Sequence, residues 1–324
     1  MAGGRRGVLA AGLAAAAPAR AQPRAEAAFP QRPVRLVVAY PAGGSTDVVG
    51  RLLAERLARA WGQPVIVENR PGAAGTLGAD VVAKSPADGH TLLVGASGEL
   101  AVARAGLRSI PYQPGDFAPI ALLTEQPLLV LVNAGLPVAS LAAFIAYARA
   151  RPGQLNYASF GNATANHLLT ELLRLETGIV VTHVPYRGAA PAMTDLLAGQ
   201  VQFALDTIPT ALPQLAAEKL RALALTRATR SAALPEVPTT VELGLPDVVG
   251  GTWAALVAPA RTPAAVLEQI GETVQAAFRE GLGSAFRERG LEPVGADAAT
   301  TAGFIAAEQR KWLAMAARTG IQPE

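Results

Sequence analysis

The chain has 324 residues, 51% hydrophobic and 16% charged, enough to bury the cores of two ordinary domains. It contains no cysteine, which excludes a disulfide framework, a thiolate metal site and a cysteine nucleophile. Its three histidines, His90, His167 and His183, are scattered, so no His-rich metal site is expected.

The first segment, "MAGGRRGVLAAGLAAAAPARA", reads as an export signal over residues 1–21. It has a basic start at Arg5 and Arg6, a short apolar stretch, and the small-residue triplet Ala19-Arg20-Ala21 as a cleavage site. The paired arginines suit a twin-arginine signal, and an ordinary secretory signal fits as well. Cleavage after Ala21 removes Arg5, Arg6 and Arg20 and no acid, leaving 25 Lys+Arg against 25 Asp+Glu. A formally neutral mature chain without a basic, aromatic-laced patch carries no footprint for nucleic acid. Residues 127–148 come nearest to a membrane span, but Asn133, Pro137 and Ser140 interrupt them.

After a tail at 22–33, strand and helix signals alternate. The run "VRLVVAY" (34–40) is a strand covered on both faces. From Val48 the pattern becomes helical, with Val49, Leu53 and Leu57 on one face and Arg51, Glu55 and Arg59 on another. Further strands are expected at 64–69, 90–96, 127–133, 155–159, 180–186, 201–206, 220–226 and 251–259. Helices are expected at 75–85, 141–150, 164–177, 191–198, 263–280 and 299–317. Such alternation argues for parallel sheets with helices on both sides, in two domains of similar size.

Two loops stand out. "AYPAGGSTDVVGRLL" (39–53) is a strand-to-helix turn that aims unpaired backbone N–H groups beyond the strand end. Pro41, Gly43 and Gly44 shape it, Ser45 and Thr46 add neutral donors, and Asp47 either caps its own helix or binds elsewhere. "NYASFGNATANHLL" (156–169) repeats the design with Ser159, Gly161 and Thr164. Either loop alone is also explained by ordinary helix capping. Two of them, in different domains and near the carboxyl ends of their strands, would hold a small carboxylate between them. A third stretch (184–206) adds Tyr186, Arg187 and Asp206 at strand ends. Arg187 would pair with a second acidic group on the ligand or stay solvated. Asp206 would accept bonds from a ligand or cap the next turn.

Enzyme signatures are largely absent. There is no P-loop, and Ser97 in "GASGE" misses G-x-S-x-G because position 99 is Glu. No histidine lies near a serine nucleophile in sequence. The dinucleotide fingerprint is missing too, since residues 42–47 read Ala-Gly-Gly-Ser-Thr-Asp.

From residue 29 onward, ordered pieces accumulate: "FPQRPVRLVVAYPAGGSTD", "VIVENRPGAAGTLGADVVAKSPADGHTLLVG", "PYQPGDFAPIALL", "ARPGQLNYASFGNATANHL", "THVPYRGAAPAMTDLLAGQV", "LPEVPTTVELGLP" and "TWAALVAPARTP". In order and spacing the chain resembles the Bug/TctC solute-binding proteins, receptors of tripartite tricarboxylate transporters. The resemblance implies an α/β type II periplasmic-binding-protein fold of two lobes joined by two crossing strands. Lobe 1 would hold 30–127 and 251–324, and lobe 2 would hold 128–250. It implies a periplasmic, monomeric receptor with no enzymatic activity, cofactor or metal. The ligand would be a small mono- or dicarboxylate, passed to membrane permease subunits. Its carboxylate would lie between Pro41–Asp47 and Ser159, Gly161 and Thr164. Phe160 stands where relatives have a small residue, Ala163 replaces a glycine, and "VARAGLRSI" replaces N-P-x-L after "LLVGAS". Phe160, Arg187 and Ser97 are therefore the candidates for specificity. The rival reading is an exported hydrolase or other enzyme on a two-lobed scaffold.

Overall fold

The computed structural model describes residues 1, 3 and 29–321. Apart from Met1 and Gly3, the export signal read at 1–21 lies outside the described residues.

The first half opens with strand β1 (Val34–Val38), helix α1 (Ser45–Trp61), β2 (Val65–Asn69), α2 (Thr76–Ala83) and β3 (Thr91–Ala96). β1 is nearly all buried, as its unbroken apolar run requires. Helix α1 buries Val49, Leu53 and Leu57, and its outer Glu55 and Arg59 pair at 3.0 Å. A π-helical turn (Gly98–Val102) and short α3 (Ala103–Gly106) lead to β4 (Phe117–Asn133). Next come α4 (Leu141–Arg149), β5 (Asn156–Ser159), α5 (Ala165–Thr177), β6 (Thr182–Pro185), α6 (Ala189–Leu197), β7 (Phe203–Thr207), α7 (Ile208–Ala216) and β8 (Leu220–Leu225). The chain returns through β9 (Gly251–Pro259), α8 (Ala264–Ala277), α9 (Gly283–Arg287), β10 (Glu292–Ala296) and α10 (Ala298–Thr319).

β4 organises the molecule. Its first part, up to Pro127, pairs with β9 and, on the other side, with β10. From Leu128 onward it pairs with β7 and β8. One sheet therefore runs β2-β1-β3-β9-β4-β10 and the other β8-β4-β7-β5-β6, with β4 shared. The second crossing lies beside the first. The Gly250 amide donates to the Thr226 carbonyl, and the Thr226 hydroxyl binds the Gly250 carbonyl and the Leu128 backbone. Gly251 faces Pro127 so closely that a β-carbon there would collide with the Gln126 carbonyl.

The structure corrects the sequence reading in two places. Both sheets are mixed, not parallel: β1–β2, β1–β3, β5–β6 and β5–β7 are parallel, but every pairing of β4 and β9 is antiparallel. The strand expected at 127–133 is only the end of the 17-residue β4. Pro119 and Pro127 hid the rest. Pro119 sits at a register shift and Pro127 at the crossing, the positions where a strand tolerates proline.

Helices pack on both sheets. One core joins α1 and α8 to β1, β3 and β9, and another joins α6 and α7 to β4 and β8. A third runs through both halves, because Trp312 of α10 and Leu169 of α5 share it with strands of both sheets. No helix among the described residues is long and apolar enough to cross a membrane.

Candidate functional site

The carboxyl ends of β1, β3, β5 and β7 face one another across the cleft, and the segments leaving them line a small cavity between the two halves. The first half supplies Tyr40–Ala42, Gly44–Thr46 and Ala96–Gly98. The second supplies Phe160, Thr164–Asn166, Ala189, Ala190, Asp206, Thr207 and Thr210. Leu128 and Thr252 close it at the crossing. The space open to the centre of a water molecule is ≈ 60 Å³.

Four helices begin at this cavity. None of α1, α5, α6 and α7 has a side-chain bond to its first-turn amides from the capping residues Gly44, Thr164, Gly188 and Thr207. First-turn N–H groups lack backbone partners within their helix, so the wall carries directed donors and partial positive charge, although the His167 amide bonds Asn166 Oδ1 and Pro191 of α6 and Pro209 of α7 have no N–H to give. Among the described residues no Lys, Arg or His lines it, and Asp206 is its one carboxylate. An anion would be held here by amides and hydroxyls, without a cation.

The first loop sorts its residues into two groups. Pro41, Gly44, Ser45 and Thr46 line the cavity. Asp47 turns away and ties the loop together. It accepts from the Gly43 amide, Arg51 Nε and Asn69 Nδ2, each at 2.9 Å. Burial pushes its carboxyl up, but these bonds outweigh burial and hold it below the usual range. Gly43 takes a positive φ of 87° to make the turn. Behind this wall, Glu99 is 3% exposed, takes the Ala96 amide at 2.7 Å and the Tyr40 hydroxyl at 3.0 Å, and is pushed up to about 7 by burial. Ser97 reaches the cavity and donates to Thr252 Oγ1 at 3.0 Å.

The second loop divides in the same way. Phe160 and Thr164 line the cavity, whereas Ser159 is fully buried behind it. Ser159 Oγ lies 2.6 Å from His183 Nε2 and bonds the Gly161 backbone. The fold thus brings together a serine and a histidine that are distant in sequence. His183 is stacked on Tyr157 and His167, with ring centroids 4.8 and 4.1 Å away, and burial lowers both imidazoles to about 4. Asn166, unremarked in the sequence, is buried at the centre of the loop. Its Oδ1 is 2.6 Å from Thr164 Oγ1, and its Nδ2 donates to the Leu205 carbonyl. Ala163 holds a left-handed φ of 56°, a conformation suited to the glycine that the resemblance expects there.

Gly161, Tyr186 and Arg187 do not reach the inner cavity. They line a wider vestibule of ≈ 590 Å³ that also meets Pro41, Phe160 and the 71–75 segment. Tyr186 gives its hydroxyl to Asp195 Oδ2 at 2.6 Å, and Arg187 is exposed. Asp206 does reach the cavity, at 2% exposure. Its Oδ1 accepts from the Thr207 amide at 2.6 Å, and burial pushes it up to about 7. Thr207 and Thr210 were missed, because the sequence reading placed no helix after the strand at 201–206 where α7 begins, and Thr252 was read only as part of the strand at 251–259.

The halves touch at the mouth of the cleft. A β-carbon at Gly106 would sit 2.5 Å from that of Ala163, and one at Gly188 (φ 115°) would lie 2.9 Å from Pro41 Cγ. Both contacts join opposite sides of the cleft, so only glycine allows this approach.

Two α/β lobes closing over an amide-lined cavity define a solute-binding receptor. Residues 49–321 match the model of the tripartite tricarboxylate transporter family receptor, TctC, and the chain belongs to that family. It is 40% identical to protein BugT of Bordetella pertussis over 297 residues, 91% of each chain. Its fold is similar to that of R. palustris Rpa4515, solved with adipate, at TM-score 0.89 and 37% identity over 92% of this chain and 100% of that one. It is also similar to MatC (Rpa3494) from Rhodopseudomonas palustris with bound malate, at TM-score 0.82 and 33% identity over 89% and 100%. Receptors of this family are periplasmic and bind solutes; they are not enzymes. The Ser159–His183 pair belongs to the loop's scaffold.

Proposed function

We propose that this chain captures a small organic acid between lobe 1 (30–127 with 251–324) and lobe 2 (128–250), as a monomer, and delivers it to the permease of a tripartite transporter. The observation that carries this is the set of four helix N-termini, none bonded by the side chain of its capping residue, around a cavity with no basic side chain among the described residues. Directed neutral donors suit one compact carboxylate better than a polyphosphate, whose charge calls for cations. A single helix terminus contributes only ~0.3–1 kcal/mol, so affinity has to come from several amides and hydroxyls acting together in a desolvated cleft. Both lobes contribute donors, so a ligand is fully bound only when they meet, and binding favours closure. Residues 1–21 fit export, which would place the receptor beside its permease. The similarity to proteins solved with adipate and malate supports the ligand class.

A thermal-shift screen of the purified protein against carboxylates, amino acids and uncharged analogues tests the reading. A ligand at ~100 times its dissociation constant adds about 2.7 kcal/mol of stability, a readable rise in Tm. Shifts confined to uncharged compounds would contradict it.

A further inference from the structure

Among the described residues the cavity is lined by one side-chain carboxyl and by no Lys, Arg or His. Asp206 ends β7 at the cavity wall beside Thr207 and Thr210. Its Oδ1 takes the Thr207 amide at 2.6 Å and lies 3.5 Å from the Thr207 hydroxyl, and Thr210 adds a side-chain bond; all are neutral partners that leave no cation beside the carboxyl. The nearest candidate cation from the sequence, Arg187, stands outside in the vestibule. The other titratable side chain at the wall, Tyr40, has its hydroxyl turned to Glu99.

Two unlike kinds of partner therefore line one small space. The N-termini of α1 and α5 offer N–H and hydroxyl donors, which match a carboxylate. Asp206 offers a carboxylate acceptor, which matches an N–H or O–H of the ligand. A simple alkanoate would bring that carboxylate no donor of its own, leaving it desolvated against its Thr207 and Thr210 partners alone. A dicarboxylate would set a second anion near Asp206 with no cation to offset it.

We infer that Asp206 sets the ligand class: a small monocarboxylate that also carries a hydroxyl or ammonium group. This inference rests on the carboxylate-receptor reading above. It separates the chain from Rpa4515, which was solved with the diacid adipate.

Calorimetric titration at pH 8, above the Asp206 value of about 7, tests it. The ligands are butyrate, its hydroxy and amino derivatives at each position, succinate and adipate. For the native protein, at least one hydroxy or amino acid should bind tenfold or more tightly than butyrate, and both diacids should bind more weakly than that acid. In Asp206→Asn, which keeps an acceptor for the Thr207 amide, the amino acid's advantage should fall at least tenfold and succinate should bind more tightly than to the native protein. A native preference for succinate or adipate, or an unchanged ranking in Asp206→Asn, would overturn the inference and leave the receptor reading standing. Binding of none of these acids, with a thermal shift only from uncharged compounds, would overturn both. Should the variant not fold, the native ranking decides alone.

Discussion

The two loops that face each other across the cleft use the same residue types but are braced differently. In the first, Asp47 gathers the Gly43 amide and Asn69 from the neighbouring strand β2, and Ser45 and Thr46 are left at the cavity. In the second, Ser159 is held by His183 from β6, Asn166 pins the turn to β7, and Phe160 and Thr164 are left at the cavity. Each loop thus needs a brace from the next strand in its sheet before it can present donors. Residue type alone does not separate braces from ligand contacts. The braces also differ in charge: an ionised carboxylate on one side, neutral stacked imidazoles on the other.

Closure gives the largest expected effect. Gly106→Val places a side chain against Ala163 and should weaken ligand binding more than ~100-fold by holding the lobes apart, because the loops then cannot act together. Titration calorimetry with small-angle scattering checks this. A compact, tightly binding variant would show that the Gly106–Ala163 contact does not limit closure.

The buried groups behind the two loops, Glu99 on one side and the two imidazoles on the other, predict opposite responses to pH. His167 and His183 are lowered in the folded chain to about 4 from 6.5, so the unfolded chain takes up the additional protons between those values. Their contribution is present above pH 6.5 and is lost as pH falls toward 4, at up to about 1.4 kcal/mol per pH unit for each imidazole. Glu99 behaves in reverse: raised from 4.5 to about 7, it stabilises fully below 4.5 and loses that contribution as pH rises through 7. Relative to the native chain, Glu99→Gln should gain stability with rising pH from 4.5 to 7, and His183→Asn should lose less on acidification from 6.5 to 4. Urea unfolding at several pH values reads both; curves parallel to the native one would refute the assignment.

Asp47→Ala should lower stability by about 1–3 kcal/mol, since the Gly43 amide and Asn69 lose a buried acceptor. Ser45→Ala, in contrast, should leave stability within about 0.5 kcal/mol, the usual range for substitutions away from bracing features. If binding fell more in Asp47→Ala than in Ser45→Ala after correction for unfolded protein, Asp47 would be a ligand contact. The smallest effect belongs to Arg318 of α10, which pairs with Glu176 and Asp247 of the other half at 2.5 and 2.8 Å. These pairs are exposed, so Arg318→Ala should cost less than about 1 kcal/mol, and 0.5 M salt should erase the difference.

Much of this was legible in the sequence, for reasons that differ by residue. Strand β1 and helix α1 declare themselves because burial on both faces, or on one, writes a local pattern. The loops at 41–47 and 159–164 are visible because a strand-to-helix turn needs glycine and hydroxyl residues in a short span. What could not be read depends on distant chain segments meeting. Nothing near Thr252 says that it meets Ser97, and nothing near Ser159 says that His183 arrives from the next strand. The shared strand β4 was cut short because its prolines mark a crossing and a register shift, which only the paired strand β9 explains. Tyr186 and Arg187 looked like contacts because they end a strand. The turn of α6 instead leaves them at the vestibule.

Calorimetric titration of the native protein and of Ser45→Ala, Thr164→Ala, with the acid that gives the largest thermal shift, tests the central claim most directly. Removing one cavity hydroxyl from each lobe should weaken binding at least tenfold while the unliganded variant still unfolds cooperatively. Unchanged affinity in a folded double variant would contradict the placement of the ligand between the two loops.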